Sequence, residues 1–130
     1  MRKPTTGADI RAHSPAGKVP VLIDGDRVIW DSLAICEYLA EIFPDAGLWP
    51  EDQAARAHAR AVSAEMHSGC NDMPMNCRAS LRGLGATQAA LTDIARIETI
   101  WKECRELAVG GGDFLFGYFT IADAMYAPVA

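Results

Sequence analysis

A short β-hairpin that runs directly into an apolar helix is the feature that most constrains the fold of this 130-residue chain. Residues 18–23, Lys-Val-Pro-Val-Leu-Ile, form a β-rich apolar run. The Asp-Gly pair at 24–25 predicts a tight hairpin turn, because it tolerates a positive φ. Residues 27–30 then form the return strand. Neither strand alternates between apolar and polar residues, which predicts a sheet buried on both faces.

The helix after the hairpin begins at Ser32 and is stopped by Pro44. Its apolar side chains repeat at helical spacing over a wide face, which predicts deep packing. They are Leu33, Ile35, Cys36, Leu39, Ala40, Ile42 and Phe43. Two strands and one helix are too little for an independently stable unit, so this piece of the sequence looks incomplete.

A segment containing proline and glycine at 45–50 separates the hairpin piece from a helical remainder. Helices are predicted over 51–66 and 87–108 from their helix-forming residues and their period. The second of these helices carries one apolar bundle face. This face consists of Leu91, Ile94, Ile97, Trp101, Cys104 and Ala108. Thr-Ile-Ala-Asp at 120–123 has the pattern of a capping box that opens a further helix.

These patterns predict an α/β piece followed by an all-α piece, mostly helical overall. We place the domain boundary between 1–47 and 48–130. The division follows the change from strand-rich to helix-rich sequence at the proline and glycine segment.

Charge and composition exclude several function classes. The net charge is −5 and there is no basic stripe, which argues against a nucleic-acid or anionic-membrane partner. No apolar run reaches the roughly 20 residues of a membrane span, and the N-terminal stretch lacks the apolar core of a signal peptide. The four cysteines form no C-x-x-C pair, and the three histidines lack metal-ligand spacing. We therefore expect reduced thiols, a cytoplasmic location and no metal.

Two features at the open end of the hairpin raise the question of a ligand. Pro20 stands near the head of the first strand, where a cis bond would turn the backbone groups of Val19 outward, towards an extended peptide. A trans edge strand is the alternative. Asp31 and Ser32 open the helix, where free N–H groups attract a carboxylate and an aspartate suits an ammonium group. The alternative is a plain N-cap, which is the commoner role.

In combination, Gly-Lys-Val-Pro-Val, the hairpin and Asp-Ser-Leu-Ala-Ile resemble the glutathione transferase family. The resemblance continues through EYLAEIFPDAGLWP, AEMHSG, PMN and FGYFTIADAMYAP, and it covers nearly the whole chain. It implies a partial thioredoxin-like domain, a C-terminal helical bundle, a cis Val19–Pro20 bond and glutathione as substrate or ligand. By this resemblance Val19 pairs with the cysteinyl backbone, Asp31 and Ser32 grip the γ-glutamyl end, and Lys18 reaches a glutathione carboxylate.

The sequence departs from the family at the residue that activates the thiol. The family's first strand, first helix and second strand have no counterpart, and Thr5, Thr6 and Ser14 do not match its catalytic residue. We carry over no catalytic residue, and we expect a chain truncated at both ends with little activity alone. Two other interpretations stay open: a non-catalytic binding or oligomerisation module built on the helical domain, and a fragment of a longer enzyme.

The resemblance and the strand pattern also predict partners. An unpaired, apolar edge at residues 18–23 invites pairing with another chain, so we expect a homodimer. Met66, His67 and Met73 flank a break between helices and are candidates for a pocket that holds a small electrophile. Ordinary core packing is the alternative for these three residues.

Overall fold

The structure, a computed structural model, describes residues 6–69, 88–108 and 110–130. The chain divides into two compact units, Met1–Pro44 and Asp45–Ala130. We call them the hairpin unit and the helical unit. No helix in the described ranges combines the length and the apolar character needed to cross a bilayer.

The described part of the hairpin unit contains two helices and two strands. Helix α1 spans Thr6–His13, strand β1 spans Val21–Asp24, strand β2 spans Arg27–Trp30 and helix α2 spans Ser32–Ile42. The strands are antiparallel, and the predicted turn is confirmed: Gly25 has a φ of 59°, which costs glycine little. A glycine with positive φ at the first position of a two-residue turn fits the type II′ hairpin.

The two faces of the hairpin differ in exposure. Leu22 and Ile29 are cross-strand partners and both are half-buried. Helix α2 contacts both strands, and its Tyr38 hydroxyl donates to Asp24, which lies on the Leu22 face by strand alternation. The opposite face is solvent-accessible. Its exposed side chains are Ile23 (54%), Val28 (39%) and Trp30 (45%).

The predictions of burial on both sheet faces and of deep packing for α2 are therefore wrong for this structure. No residue of α2 is buried, and Ile42 and Phe43 are exposed. The principal neighbours of α2 among the described residues are the two strands, and its apolar side chains are half-buried or exposed. Apolar spacing predicted the helix correctly, but not how far its side chains would be covered.

The helical unit holds the hydrophobic core. Helix α3 spans Gln53–Gly69, α4 spans Gln88–Leu107 and α5 spans Ile121–Tyr126, and α3 packs against both of the others. Short 3₁₀ turns occupy Pro44–Ala46 and Ala127–Val129. The core side chains are Trp49, Ala59, Val62, Met66, Ile97, Ile100, Cys104, Leu115, Phe116, Ile121, Ala122 and Tyr126.

The bundle face predicted for α4 is correct only over its second half. Ile97 and Cys104 are buried, whereas Leu91 and Ile94 are exposed. Ile100, which the spacing argument omitted, is 1% exposed and belongs to the same buried stripe. The described core begins only at Ile97, so the N-terminal apolar residues of α4 stay accessible.

Polar contacts join the helices of this unit. The predicted capping box is confirmed: Asp123 accepts from the Thr120 N–H (2.8 Å) and the Thr120 hydroxyl (2.9 Å). The same carboxylate also accepts from the Leu115 N–H (2.9 Å). Arg96 on α4 makes a two-point ion pair with Glu65 on α3, at 2.7 and 2.9 Å.

Candidate functional site

The strand register brings the predicted ligand-binding residues to one end of the hairpin. Val21 is the cross-strand partner of Trp30. The residues just before Val21 and just after Trp30 therefore lie side by side. Val19–Pro20 and Asp31–Ser32 flank this end of the hairpin, although eleven positions separate Pro20 from Asp31 in sequence. The Val19–Pro20 bond is cis, as the resemblance implied.

The backbone of β1 presents hydrogen-bonding groups to its outer side. Asp24 and Arg27 flank the two-residue turn and form a hydrogen-bonded pair in such a hairpin. Along a strand, successive residues direct their N–H and C=O groups alternately towards and away from the partner strand. Because the groups of Asp24 point towards β2, those of Ile23 and Val21 point away from it. Val19 precedes this outer edge and is 69% exposed. An extended peptide is therefore able to approach the head of β1 from this side.

Asp31 is the N-cap of α2, with an unusual backbone. Its Oδ1 accepts from the N–H groups of Leu33 (3.0 Å) and Ala34 (3.3 Å), so the capping role is confirmed. Its φ of 78° and ψ of 129° are unfavourable for a residue with a Cβ and cost about 1–3 kcal/mol. Such outliers cluster at ligand-binding sites, which favours a functional role beside the structural one. Ser32, the next residue, is half-buried at the start of the helix.

A cavity of about 310 Å³ lies in the hairpin unit between α1 and the head of β1. Lys18 and His13 line it together with one carboxylate, Asp9. Ser14 is buried and its hydroxyl accepts from the Lys18 N–H at 3.1 Å, which fixes the turn into β1. Helix α1 forms one wall of the cavity, and the spacing of its residues in the sequence does not show which side chains face β1.

Two of the three residues proposed for a second substrate lie among the described residues. Met66 is 8% exposed and belongs to the helical core, while His67 is exposed at the end of α3. Met73 lies outside the described residues. For Met66, the position in the core favours the packing alternative.

Two described cysteines are free thiols, and both are held in the protonated form. Burial raises the pKa of Cys36 on α2, and the neighbouring charge of Glu37 raises it further. Burial likewise raises the pKa of Cys104 to about 11. A thiolate is the reactive form of cysteine, so neither side chain is a nucleophile at neutral pH. Within the described ranges, no three His, Cys, Asp or Glu side chains are grouped to hold a metal ion.

Comparison with known proteins agrees with this fold. The family profile described as "Glutathione S-transferase, N-terminal domain" matches residues 1–42. The probable maleylacetoacetate isomerase of Caenorhabditis elegans is 35% identical over 128 residues, covering 92% of this chain and 58% of the relative. Glutathione S-transferase GstB of Escherichia coli K12 is 36% identical over 134 residues, covering 92% of this chain and 62% of the relative.

A solved structure extends the likeness to three dimensions. The glutathione transferase homolog from Sulfitobacter, solved with bound glutathione, matches with a TM-score of 0.56 at 27% identity. The match covers 98% of this chain and 62% of that structure. The chain thus spans about 60% of the length of the relatives it matches.

The hairpin with its capping helix and the helical unit define a partial thioredoxin-like domain followed by a transferase-type helical domain. The chain belongs to the glutathione S-transferase family.

Proposed function

We propose that this chain is a glutathione S-transferase-like protein that binds glutathione at the open end of its hairpin. In this proposal residues 1–47 form the glutathione-binding domain and residues 48–130 the helical domain. The observation that carries it is the register that pairs Val21 with Trp30, because this pairing supports an arrangement of Val19 near Asp31 and Ser32. In this arrangement the edge of β1 and the N-terminus of α2 lie near each other at the open end of the hairpin. An extended peptide with an amino-acid head group needs both.

Each part of glutathione has a chemical counterpart at this end of the hairpin. The outward backbone of Val19, preceding Pro20, pairs with the cysteinyl unit as an added strand. The first turn of α2 and the Ser32 hydroxyl donate to the γ-glutamyl carboxylate, which the helix dipole also favours. Asp31 accepts from the ammonium group while one of its oxygens holds the helix cap.

The cavity beside Val19 suits the remaining carboxylate of the tripeptide. Lys18 and His13 both line it, and a lysine ammonium is a strong partner for a carboxylate. Asp9 lines the same cavity and limits its positive charge to a narrow region. We therefore assign Lys18 to the glycyl carboxylate. We add His13 as a second candidate partner of this carboxylate, because it lines the same cavity although the sequence did not predict it.

We propose little turnover by this chain alone. Stabilising a glutathione thiolate requires a donor aimed at the sulfur. The Ser14 hydroxyl is buried, and Cys36 is held as a neutral thiol. Relatives whose names indicate transferase or isomerase activity support conjugation or isomerisation of a small electrophile as the ancestral reaction. A cytoplasmic location and a reaction without a metal stay predictions from the sequence.

Binding of reduced glutathione, measured by calorimetry, tests the site. Ser32→Ala removes one donor to a charged group, so we expect about a tenfold loss of affinity. Ser68→Ala is the matched control, because Ser68 lies on α3 and its hydroxyl donates to the Ala64 carbonyl. Equal affinities for the wild type and Ser32→Ala would remove this serine from the site, and no binding by the wild type would refute the proposal. A generic electrophile assayed with glutathione tests turnover separately.

An alternative is a non-catalytic binding or oligomerisation module built on the helical domain, and exposed apolar side chains such as Leu91, Leu107 and Phe119 favour it. Ile23, Val28 and Trp30 leave one face of the hairpin open to a partner, and a homodimer is the simplest way to cover it. Light scattering after size exclusion, without glutathione, measures this association. Tight association without glutathione retention would favour the module over the ligand-binding protein.

A further inference from the structure

Ser14 is a buried residue in an otherwise exposed stretch between α1 and β1. It is 3% exposed, whereas residues 11–13 and 15–20 are all exposed. A buried hydroxyl without a hydrogen bond destabilises a fold, so buried polar groups are nearly always paired. The contacts of Ser14 therefore indicate what its hydroxyl does.

Three hydrogen bonds converge on Ser14 and hold the turn that follows it. The Ser14 N–H donates to the Ile10 carbonyl at 2.8 Å, which ties the residue to α1. The Ser14 carbonyl accepts from the Gly17 N–H at 3.0 Å, and the Ser14 hydroxyl accepts from the Lys18 N–H at 3.1 Å. Gly17 has a φ of 64°, which glycine adopts at little cost. The backbone of Lys18 is thus fixed to α1 through Ser14.

We propose that Ser14 is a positioning residue for the glycyl carboxylate of glutathione, and that it acts through Lys18. This inference rests on the proposed function, which assigns Lys18 to that carboxylate. Ser14 and Lys18 line the same cavity, so the turn that joins them forms part of its wall. The lysine side chain is a flexible stem with a point charge at its end, and a fixed backbone limits the positions that the charge reaches. Such preorganisation raises affinity, because less conformational freedom is lost on binding.

The contribution of Ser14 should differ between the parts of the ligand. Val19, the proposed partner of the cysteinyl unit, is two residues from the Val21–Trp30 pair, so the strand ladder supports it. Lys18 lies farther from the ladder, and its N–H donates to Ser14. Loss of the Ser14 hydroxyl should therefore weaken the contact with the glycyl carboxylate more than the contacts with the cysteinyl and γ-glutamyl units.

Binding of two peptides, measured by calorimetry, tests this selectivity. Reduced glutathione carries the glycyl carboxylate, and glutathione amide has a neutral carboxamide in its place. We expect the wild type to prefer glutathione by about tenfold, because hydrogen bonds to charged groups are the stronger ones. Ser14→Ala should reduce this preference to about twofold, mainly through weaker binding of glutathione. Ser32→Ala should instead weaken both peptides alike, because Ser32 is assigned to the γ-glutamyl end.

A second substitution perturbs the same turn without removing the hydroxyl. Gly17→Ala places a Cβ on a left-handed backbone, 3.4 Å from the Arg11 Cγ, and should also reduce the preference for glutathione. Gly25→Ala is the matched control, because Gly25 has a similar φ of 59° and lies in the turn at the opposite end of the hairpin. It should leave the preference at the wild-type value.

A double variant tests whether Ser14 acts through Lys18. Lys18→Ala should remove most of the preference for glutathione, and Ser14→Ala added to it should change the preference no further, because both substitutions affect one contact. Equal losses for both peptides in Ser14→Ala, additive losses in the double variant, or equal effects of Gly17→Ala and Gly25→Ala would overturn the inference. Melting temperatures verify folding. If Ser14→Ala does not fold, the two glycine variants decide whether the turn sets the preference.

Amide hydrogen exchange, measured by NMR without ligand, separates this inference from the proposed function. The Lys18 N–H should exchange about tenfold faster in Ser14→Ala than in the wild type, because its acceptor is lost. An unchanged rate would overturn the inference. Equal wild-type affinities for the two peptides would do so too, with glutathione binding intact. Absence of glutathione binding by the wild type would refute the proposed function, while the exchange rate would still decide whether Ser14 holds Lys18.

Discussion

The hairpin unit and the helical unit differ in how they use their apolar residues. Every buried hydrophobic side chain among the described residues belongs to the helical unit, where α3, α4 and α5 share one core. In the hairpin unit the one buried polar side chain described is Ser14, and its large apolar residues are half-buried or exposed. The proposed ligand site nevertheless lies in the hairpin unit.

This contrast indicates that the helical unit supplies most of the stability, whereas the residues proposed to bind the ligand belong to the hairpin unit. Burial of apolar surface is the main favourable term in folding, so most of the folding free energy must come from the helical unit. The hairpin unit is held by a four-pair ladder, one helix cap and half-covered side chains. Regions with few buried contacts open at low free-energy cost, and ligand-binding segments are often drawn from such regions.

Core truncation should show the largest difference between the units. Ile100→Ala removes a side chain that is 1% exposed, and we expect a loss of about 3 kcal/mol in the free energy of unfolding. Ile23→Ala makes the same change at a 54% exposed position and should cost less than about 1 kcal/mol. Urea denaturation measures both. Similar losses would mean that Ile23 is covered in solution.

Thiol labelling should report a large difference in local opening. In a chain with Cys70→Ser and Cys77→Ser, Cys36 reports on the hairpin unit and Cys104 on the helical unit. Cys104 is fully buried with a pKa of about 11, so we expect it to react about 100-fold more slowly than half-buried Cys36 at pH 8.5. Equal rates would show that both units open in one cooperative event.

Loss of the Asp123 carboxylate should have an intermediate effect on the helical unit. Asp123→Ala removes the acceptor of the Thr120 N–H, the Thr120 hydroxyl and the Leu115 N–H, and we expect about 1–2 kcal/mol of destabilisation. Asp113→Ala is the control, because Asp113 is exposed and contacts Arg105 through its backbone oxygen. A melting temperature unchanged by Asp123→Ala would show that water replaces all three bonds.

The smallest effect is expected from the exposed ion pair between α3 and α4. The hydrogen bond from Arg96 holds the pKa of Glu65 below its ordinary value. A lowered pKa contributes stability above the unfolded-state pKa and loses it as the pH falls through the folded-state pKa. Glu65→Gln should therefore lower the melting temperature by only about 1–2 °C at pH 7, and the difference should vanish towards pH 3. A difference that persists at pH 3 would point to lost packing instead of lost charge.

Local features of this protein could be predicted from the sequence. The turn at Gly25, the return strand Arg27–Trp30, the extent of α4 and the capping box at Thr120 all follow from short-range chemistry. Each depends on residues at most about four positions apart: positive φ at glycine, β-rich composition, helical period and a side chain reaching back to an N–H. The family likewise follows from motifs along the chain.

The sequence did not predict in this way how far each apolar side chain is buried. The apolar pattern of α2 is richer than that of α4, yet α2 has no buried residue while Ile97, Ile100 and Cys104 are buried. A helical period states which side chains share a face, but not whether another element lies against that face. The cavity wall formed by Asp9 and His13 was missed for the same reason, since α1 approaches the head of β1 only in the folded chain.

The sequence by itself determined the hairpin, its turn, the caps of α2 and α5 and the membership of the glutathione S-transferase family, because these depend on contacts between near neighbours in the chain. Tertiary structure alone decided that Ile100 is covered while Ile23 is exposed, and that the segments preceding Val21 and following Trp30 flank the same end of the hairpin. Burial and strand register are set by elements distant in sequence, and solvent exclusion exists only once those elements have come together.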